Sequence, residues 1–264
     1  MIVETLTSPV ILFFLLGFMA AVIRSDLTIP EPFAKAMSIY LMTAIGLKGG
    51  VEVASTGFSD ALASAAIAGV VLGLTLPILA FFLLRSFGKL DASDAGAVAA
   101  HYGSVSVVTF VTAVELLSGQ GMRPDGFMVG VMALMETPAI ITGLLLARAY
   151  AKKSEAGPAT GSAAGERPNL LHEVLTNGSV ILLPIINGSI GTVVGTLIGL
   201  DPGSAAILGV LCASASYIAV PAAMRLALPQ ADPGIYLSMS LGITFPFNII
   251  FGISLFAALA NFLG

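Results

Sequence analysis

Two clusters of hydroxyl side chains interrupt long apolar stretches: Gly103-Ser104-Val105-Ser106 with Thr109, and Ser214-Ala215-Ser216 followed by Pro221. A serine hydroxyl offers one donor and two acceptor positions. A helix crossing such a cluster is invited to break, and a proline cannot donate the backbone bond its turn needs. A break bares N–H groups at the start of the second half-helix, at the positive end of its dipole. Bared amides and hydroxyls together make a site for a small anion. Two such ends face to face would hold a planar oxyanion without a buried arginine, and no Lys or Arg lies in the middle of these stretches. For one cluster alone, close helix packing is the simpler account. Two related copies turn the balance toward binding.

Acidic groups in hydrocarbon are costly, by about 2.5–3.5 kcal/mol on insertion scales, and are usually functional. Glu136 is the main one, two residues before Pro138; Glu115 lies nearer a segment end and is expected to face water. Thr244 and Asn248 flank Pro246. Carboxylate, hydroxyl, amide and proline-freed carbonyl oxygens are hard ligands suited to Na⁺. Two readings of Glu136 stay open: a cation ligand, or a neutral acid hydrogen-bonded to a neighbouring helix. His101 suits proton carriage or packing, and packing is the expectation. Lys48-Gly-Gly reads as an interfacial turn.

The elements that would carry these residues follow from composition. The chain has 264 residues, 57% hydrophobic and 10% charged, with a mean hydropathy of +1.00. A soluble domain carries about 25% charge. That balance excludes an ordinary water-soluble enzyme, a nucleic-acid binder and a disordered chain. A single cysteine, Cys212, excludes an internal disulfide or a cysteine-based metal site. No HExxH motif and no nucleophile–base pair at a recognisable spacing is present, so an enzyme is not expected. The fold expected is all-α, a polytopic transmembrane bundle of about eight segments: 8–24, 31–50, 58–85, 93–118, 124–150, 177–200, 203–227 and 233–263. The last is long enough to be tilted or irregular.

Loop charges orient the chain. Arg24, Lys35, Arg85, Lys89, Arg148, Lys152, Lys153, Arg167 and Arg225 fall on one side, against Lys48 and Arg123 on the other. The first side is expected to be cytoplasmic, with both termini outside a cell (inner) membrane. Residues 152–171, rich in Gly, Ala, Ser and Pro, read as a cytoplasmic linker between a first repeat (1–151) and a shortened second one (172–264).

The repeat is visible in register. His101–Thr109 lies over Leu211–Ala219 at a shift of 110, so Ser104 meets Ser214 and Ser106 meets Ser216. Pro138 meets Pro246, and Glu136 meets Thr244, at a shift of 108. An odd number of crossings separates the related units, so they enter the membrane from opposite sides, the inverted-repeat architecture of secondary transporters. Gly69 and Gly73, and the run Gly191, Gly195 and Gly199, form small-residue faces for close packing, with the Gly191 face expected at an oligomer contact. Asp201-Pro-Gly reads as a helix stop and restart.

Across nearly the whole chain, the sequence resembles the sodium-dependent bicarbonate transporter family of the SbtA type. The matching stretches are Ile45-Gly-Leu-Lys-Gly-Gly50, Gly103-Ser-Val-Ser106 with Thr109, Met135-Glu-Thr-Pro138, Ser214-Ala-Ser216 with Pro221, and Gly242-Ile-Thr-Phe-Pro246. The resemblance implies inverted five-helix repeats, a core moving against a gate, a trimer, and Na⁺-coupled uptake of bicarbonate. It implies that Gly103, Ser104, Val105, Ser106, Ser214, Ala215 and Ser216 line the anion site. Thr109, Glu136, Thr244 and Asn248 are the Na⁺ candidates, with sodium a coupling ion and no resident cofactor. Two departures stand out. Tyr217 occupies a position where the family pattern is expected to carry Asp. The second repeat also lacks about two crossings, as if the start of one helix, Asn177–Leu183, were joined to the end of another at Pro184–Asn187. The expected function is Na⁺-coupled symport of bicarbonate or a similar anion by a homo-oligomer in the bilayer. The rival is an anion-binding sensor that has lost transport with its gate helices.

Overall fold

The computed structural model describes residues 31–88, 90–151 and 179–264, with isolated positions 12, 16, 17 and 19. Most of the expected segment 8–24, Arg24, Lys89 and the whole 152–171 linker lie outside the described residues. Within them the chain is helical: α1 (Glu31–Thr56), α2 (Asp60–Ser86), α3 (Ala92–Gly103), α4 (Val107–Gly119), α5 (Met128–Tyr150), α6 (Ser179–Leu197), α7 (Pro202–Ala213), α8 (Ala219–Ala227) and a composite α9 (Pro233–Leu263). Among the described residues, four units are long and apolar enough to cross a membrane: Asp60–Ser86, Ala92–Gly119, Met128–Tyr150 and Pro233–Leu263. The fold is a multi-pass helical membrane bundle with inverted, broken helices.

Local side chains set the helix starts by capping. Asp91 accepts from the Asp94 N–H at 2.8 Å and Asp201 from the Gly203 N–H at 2.8 Å, with Pro202 in the first turn. Asp232 does the same for Gly234 at 2.7 Å. Each carboxylate satisfies an N–H that has no intrahelical partner. The Asp201-Pro-Gly restart is therefore as expected. Lys48-Gly-Gly is not a turn: α1 runs through it to Thr56. Two glycines in tandem lower helix propensity but do not end a helix whose neighbours continue it.

The Gly191 face requires a second correction. A Cβ on Gly191 would come within 2.7 Å of Cys212 Sγ, and one on Gly195 within 2.9 Å of Ala205 Cα. That face packs α6 on α7 inside the chain and is not an oligomer contact. Gly69 and Gly73 likewise pack α2 on Val131 and Met135 of α5. Small residues let these backbones approach where lipid supplies no hydrophobic drive for association.

Three contacts set α3–α4 antiparallel to α7–α8. At one end, the Asp125 N–H after α4 donates to Ser204 Oγ in the first turn of α7, at 2.8 Å. At the other, the Asp232 N–H after α8 donates to Asp94 Oδ1 in the first turn of α3, at 2.7 Å. Asp94 and Ser204 are repeat mates at the shift of 110. In the middle, the two breaks touch. The same bond thus occurs twice, exchanged between the units, as an inverted pair requires.

Gly103 ends α3 where Pro77 of α2 lies against it; an added Cβ would overlap the proline ring and lie 2.9 Å from Ala139 Cβ. Pro77 cannot rotate away. Gly103→Ala is expected to cost about 1–3 kcal/mol, read as a lower melting temperature in detergent. In the loop before α5, burial and then the Asp201 carboxylate raise the Asp125 carboxyl above its ordinary value. A raised carboxyl pKa means that the fold holds the proton more tightly than the unfolded chain. Stability from this group is present at low pH and lost as pH rises through the raised value. Asp125→Asn is expected to raise the melting temperature at about pH 7.5 and to gain less at about pH 5.

Candidate functional site

Each broken helix ends its first half in the same way. Ser104 caps α3 at φ −91°, ψ 165°, and Ser214 caps α7 at φ −82°, ψ 162°. Two extended residues at matched positions convert the Ser-x-Ser repeat into matched backbone. The restarts differ. Ser106 caps α4 directly, its Oγ accepting from the Thr109 N–H at 3.2 Å and the Thr109 hydroxyl at 2.9 Å. In the second unit the helix resumes only at Ala219, with no side-chain cap and with Pro221 in its first turn. Proline is tolerated there because that N–H has no helical acceptor in any case.

The two breaks bond to each other. The Ser106 N–H donates to Ser214 Oγ at 3.1 Å, while the Ser214 hydroxyl donates to Leu211 O at 2.8 Å. The Ser216 N–H donates to His101 O at 3.0 Å. If symmetry were exact, Ser104 Oγ would take the Ser216 N–H and give its proton to His101 O. The longer second break lets the Ser216 N–H reach that carbonyl directly. Ser104 Oγ is left buried, with no hydrogen-bond partner among the described residues. In apolar surroundings such a group costs free energy unless something else meets it.

The remaining predicted residues divide. Gly103, Val105, Ala215 and Ser216 are buried at the breaks with the serines. Asn248 joins them, its Nδ2 donating to Ala213 O at 2.9 Å, which leaves Oδ1 unpaired among the described residues. Thr244 bonds the Tyr102 hydroxyl at 2.5 Å and donates to Met239 O at 2.9 Å. Glu136 is half-buried on α5 and bonds none of these groups; Glu115 is exposed. Tyr217 packs edge-on to Phe245 at 5.5 Å and approaches Ser106. Pro138 lies in unbroken α-helix, while Pro246 sits between two π-helical turns, Ser238–Thr244 and Asn248–Gly252. π-turns leave carbonyls imperfectly paired and recur at functional sites.

His101 is packed, as expected, with its ring stacked on Tyr236 at 4.7 Å and its Nδ1 2.6 Å from Ala97 O. A carbonyl only accepts, so Nδ1 carries a proton, and Nε2 is buried and unpaired among the described residues. The sequence reading missed Tyr102 and Tyr236, the buried partners of Thr244 and His101, and Asn187, which is buried on α6. Asn187 was legible as the one amide side chain in the run Ser179–Leu197, and a strongly polar group in a membrane is a functional signal.

The serines separate stability from binding. Ser214→Ala is expected to leave the Ser106 N–H buried and unpaired, costing about 1–3 kcal/mol. Ser104→Ala removes a hydroxyl with no partner and should leave the melting temperature close to wild type. Equal losses in detergent melts would show that Ser104 is bonded after all.

The profile of the Na⁺-dependent bicarbonate transporter superfamily matches residues 9–184 and 181–261. The two pieces meet inside α6. Among curated proteins, none matches the chain.

Proposed function

Because the chain belongs to the Na⁺-dependent bicarbonate transporter superfamily, we propose that it carries out Na⁺-coupled symport of bicarbonate or a similar small monovalent anion, held between the two broken helices. The observation that carries this reading is the buried Ser104 hydroxyl beside the bonded breaks, which has no hydrogen-bond partner among the described residues. Gly103, Ser104, Val105, Ser106, Ser214, Ala215 and Ser216 form the anion site in this reading. The N-terminal amides of α4 and the hydroxyls supply donors without a fixed positive charge. Thr109, Thr244 and Asn248 offer neutral oxygens to Na⁺, and Glu136 on α5 is the carboxylate candidate.

Coupling follows from electrostatics. Na⁺ bound beside the anion cancels net charge before either crosses the low-dielectric region, and each ligand raises the affinity for the other by the same factor. The protein works as a homo-oligomer in a cell membrane, with both termini outside, and performs no covalent chemistry.

A second reading has its own support. The superfamily match is in two pieces meeting at residues 181–184, within one helix. That suits a second repeat in which two gate crossings have been removed and α6 fuses what remained. A chain without those helices would bind the anion and signal without carrying it across.

Uptake of labelled bicarbonate into proteoliposomes distinguishes the two. Symport requires uptake that rises with an inward Na⁺ gradient and collapses without Na⁺. Binding with no flux favours the sensor. The pair Ser104→Ala with Ser214→Ala is expected to abolish bicarbonate binding to purified protein; unchanged affinity means that these serines only pack.

A further inference from the structure

Asn187 is buried in the bundle, and neither its amide nitrogen nor its oxygen has a hydrogen-bond partner among the described residues. It lies on α6 one turn before Gly191, on the stripe that faces α7. Gly195 packs at Ala205, and Gly191 at Leu208 and Cys212, so the two helices run antiparallel. One further turn along α6 brings Asn187 level with Ala213 and the break that follows it. Ala213 O is also where Asn248 anchors its Nδ2, leaving its own oxygen unpaired among the described residues. By this register two buried amide side chains, Asn187 and Asn248, stand at the level of the C-terminal end of half-helix α7, each with an oxygen that has no hydrogen-bond partner among the described residues. That end carries the negative pole of the helix dipole, with carbonyls that its interrupted helix no longer pairs. Neutral oxygens around a helix C-terminus fit a monovalent cation and give an anion no advantage.

We propose that Asn187 is a ligand residue for the coupling Na⁺, its side-chain oxygen meeting the ion together with that of Asn248 at the C-terminal end of α7. The assignment rests on the Na⁺-coupled reading above and adds a residue from the helix on which the two pieces of the superfamily match meet. It gives that helix a direct part in coupling: when Na⁺ binds, α6 and α7 are tied across the break, and the neighbouring anion site is held formed.

The test uses full-length purified protein and Na⁺ itself. Thermal unfolding is followed as NaCl replaces choline chloride at constant ionic strength, because a ligand that binds only the folded state raises its melting temperature. Wild type should be stabilised by Na⁺ and not by choline. Asn187→Ala should melt normally in choline, while its half-saturating Na⁺ rises about tenfold or more. Asn187→Ser, which keeps one oxygen, should fall between the two and serves if the alanine variant does not fold. An unchanged Na⁺ midpoint in both variants overturns the assignment. So does a lower melting temperature in choline with an unchanged midpoint, which is the mark of packing alone. A loss confined to bicarbonate affinity, measured with the choline salt, also overturns it in favour of an anion contact. If wild type shows no Na⁺ stabilisation yet binds bicarbonate, the coupling reading itself falls, and with it this assignment.

Discussion

A backbone polar group in hydrocarbon has no water to turn to. An unpaired N–H or C=O there costs several kcal/mol, so a membrane helix cannot simply stop halfway. This chain stops two helices halfway, at Ser104–Ser106 and at Ser214–Ile218. Each break is possible because the other is placed against it. The Ser106 N–H is met by Ser214 Oγ and the Ser216 N–H by His101 O. Around that crossing the remaining elements act as supports. The capping aspartates start the half-helices at the membrane ends, and the exchanged Asp125–Ser204 and Asp232–Asp94 bonds hold those ends in register. Glycine contacts at Gly103, Gly191 and Gly195 bring neighbouring helices close together.

The inverted pair is close to symmetric, and its departures are informative. Ser104 and Ser214 adopt nearly the same dihedrals, yet the Ser214 hydroxyl is doubly bonded and that of Ser104 has no partner among the described residues. The difference accompanies a longer second break, which extends to Ile218 before α8 resumes, and a Ser216 N–H that bonds His101 O directly. The Ser214 side of the crossing is thus hydrogen-bonded, while among the described residues the Ser104 side is not. The buried side-chain atoms without partners among the described residues, on His101, Ser104, Asn187 and Asn248, belong to elements packed around this crossing. Such a concentration is expensive in a structure made only for stability, and polar atoms at this depth generally serve a ligand.

Much of this is legible in the residues. Apolar runs, hydroxyl clusters and prolines point to the class of fold. Ser-x-Ser at a shift of 110 marks the repeat, and the parity of the crossings marks its inversion. Asp before a first-turn Pro or an acidic turn shows where half-helices start, because capping is local chemistry. The family resemblance, carried by motifs such as Met135-Glu-Thr-Pro138, agrees with the superfamily match across the chain. Lys48-Gly-Gly misleads because local propensity is weak against a helix continued on both sides. The Gly191 face misleads because a small-residue stripe says that a backbone comes close without saying whose backbone it is.

Properties confined to one segment can be read along the chain: which stretches are apolar enough to cross, where each is interrupted, and which ends are capped. The choice of which interrupted end answers which belongs to the packed bundle. Ser106 and Ser214 lie 108 positions apart, and Asp94 and Asp232 lie 138 apart. No local pattern links such pairs, because each bond forms only once two helices from different units have been laid side by side. Among the described residues the same packing leaves Ser104 without the partner that its repeat mate has, an asymmetry that the matched Ser-x-Ser motifs do not announce.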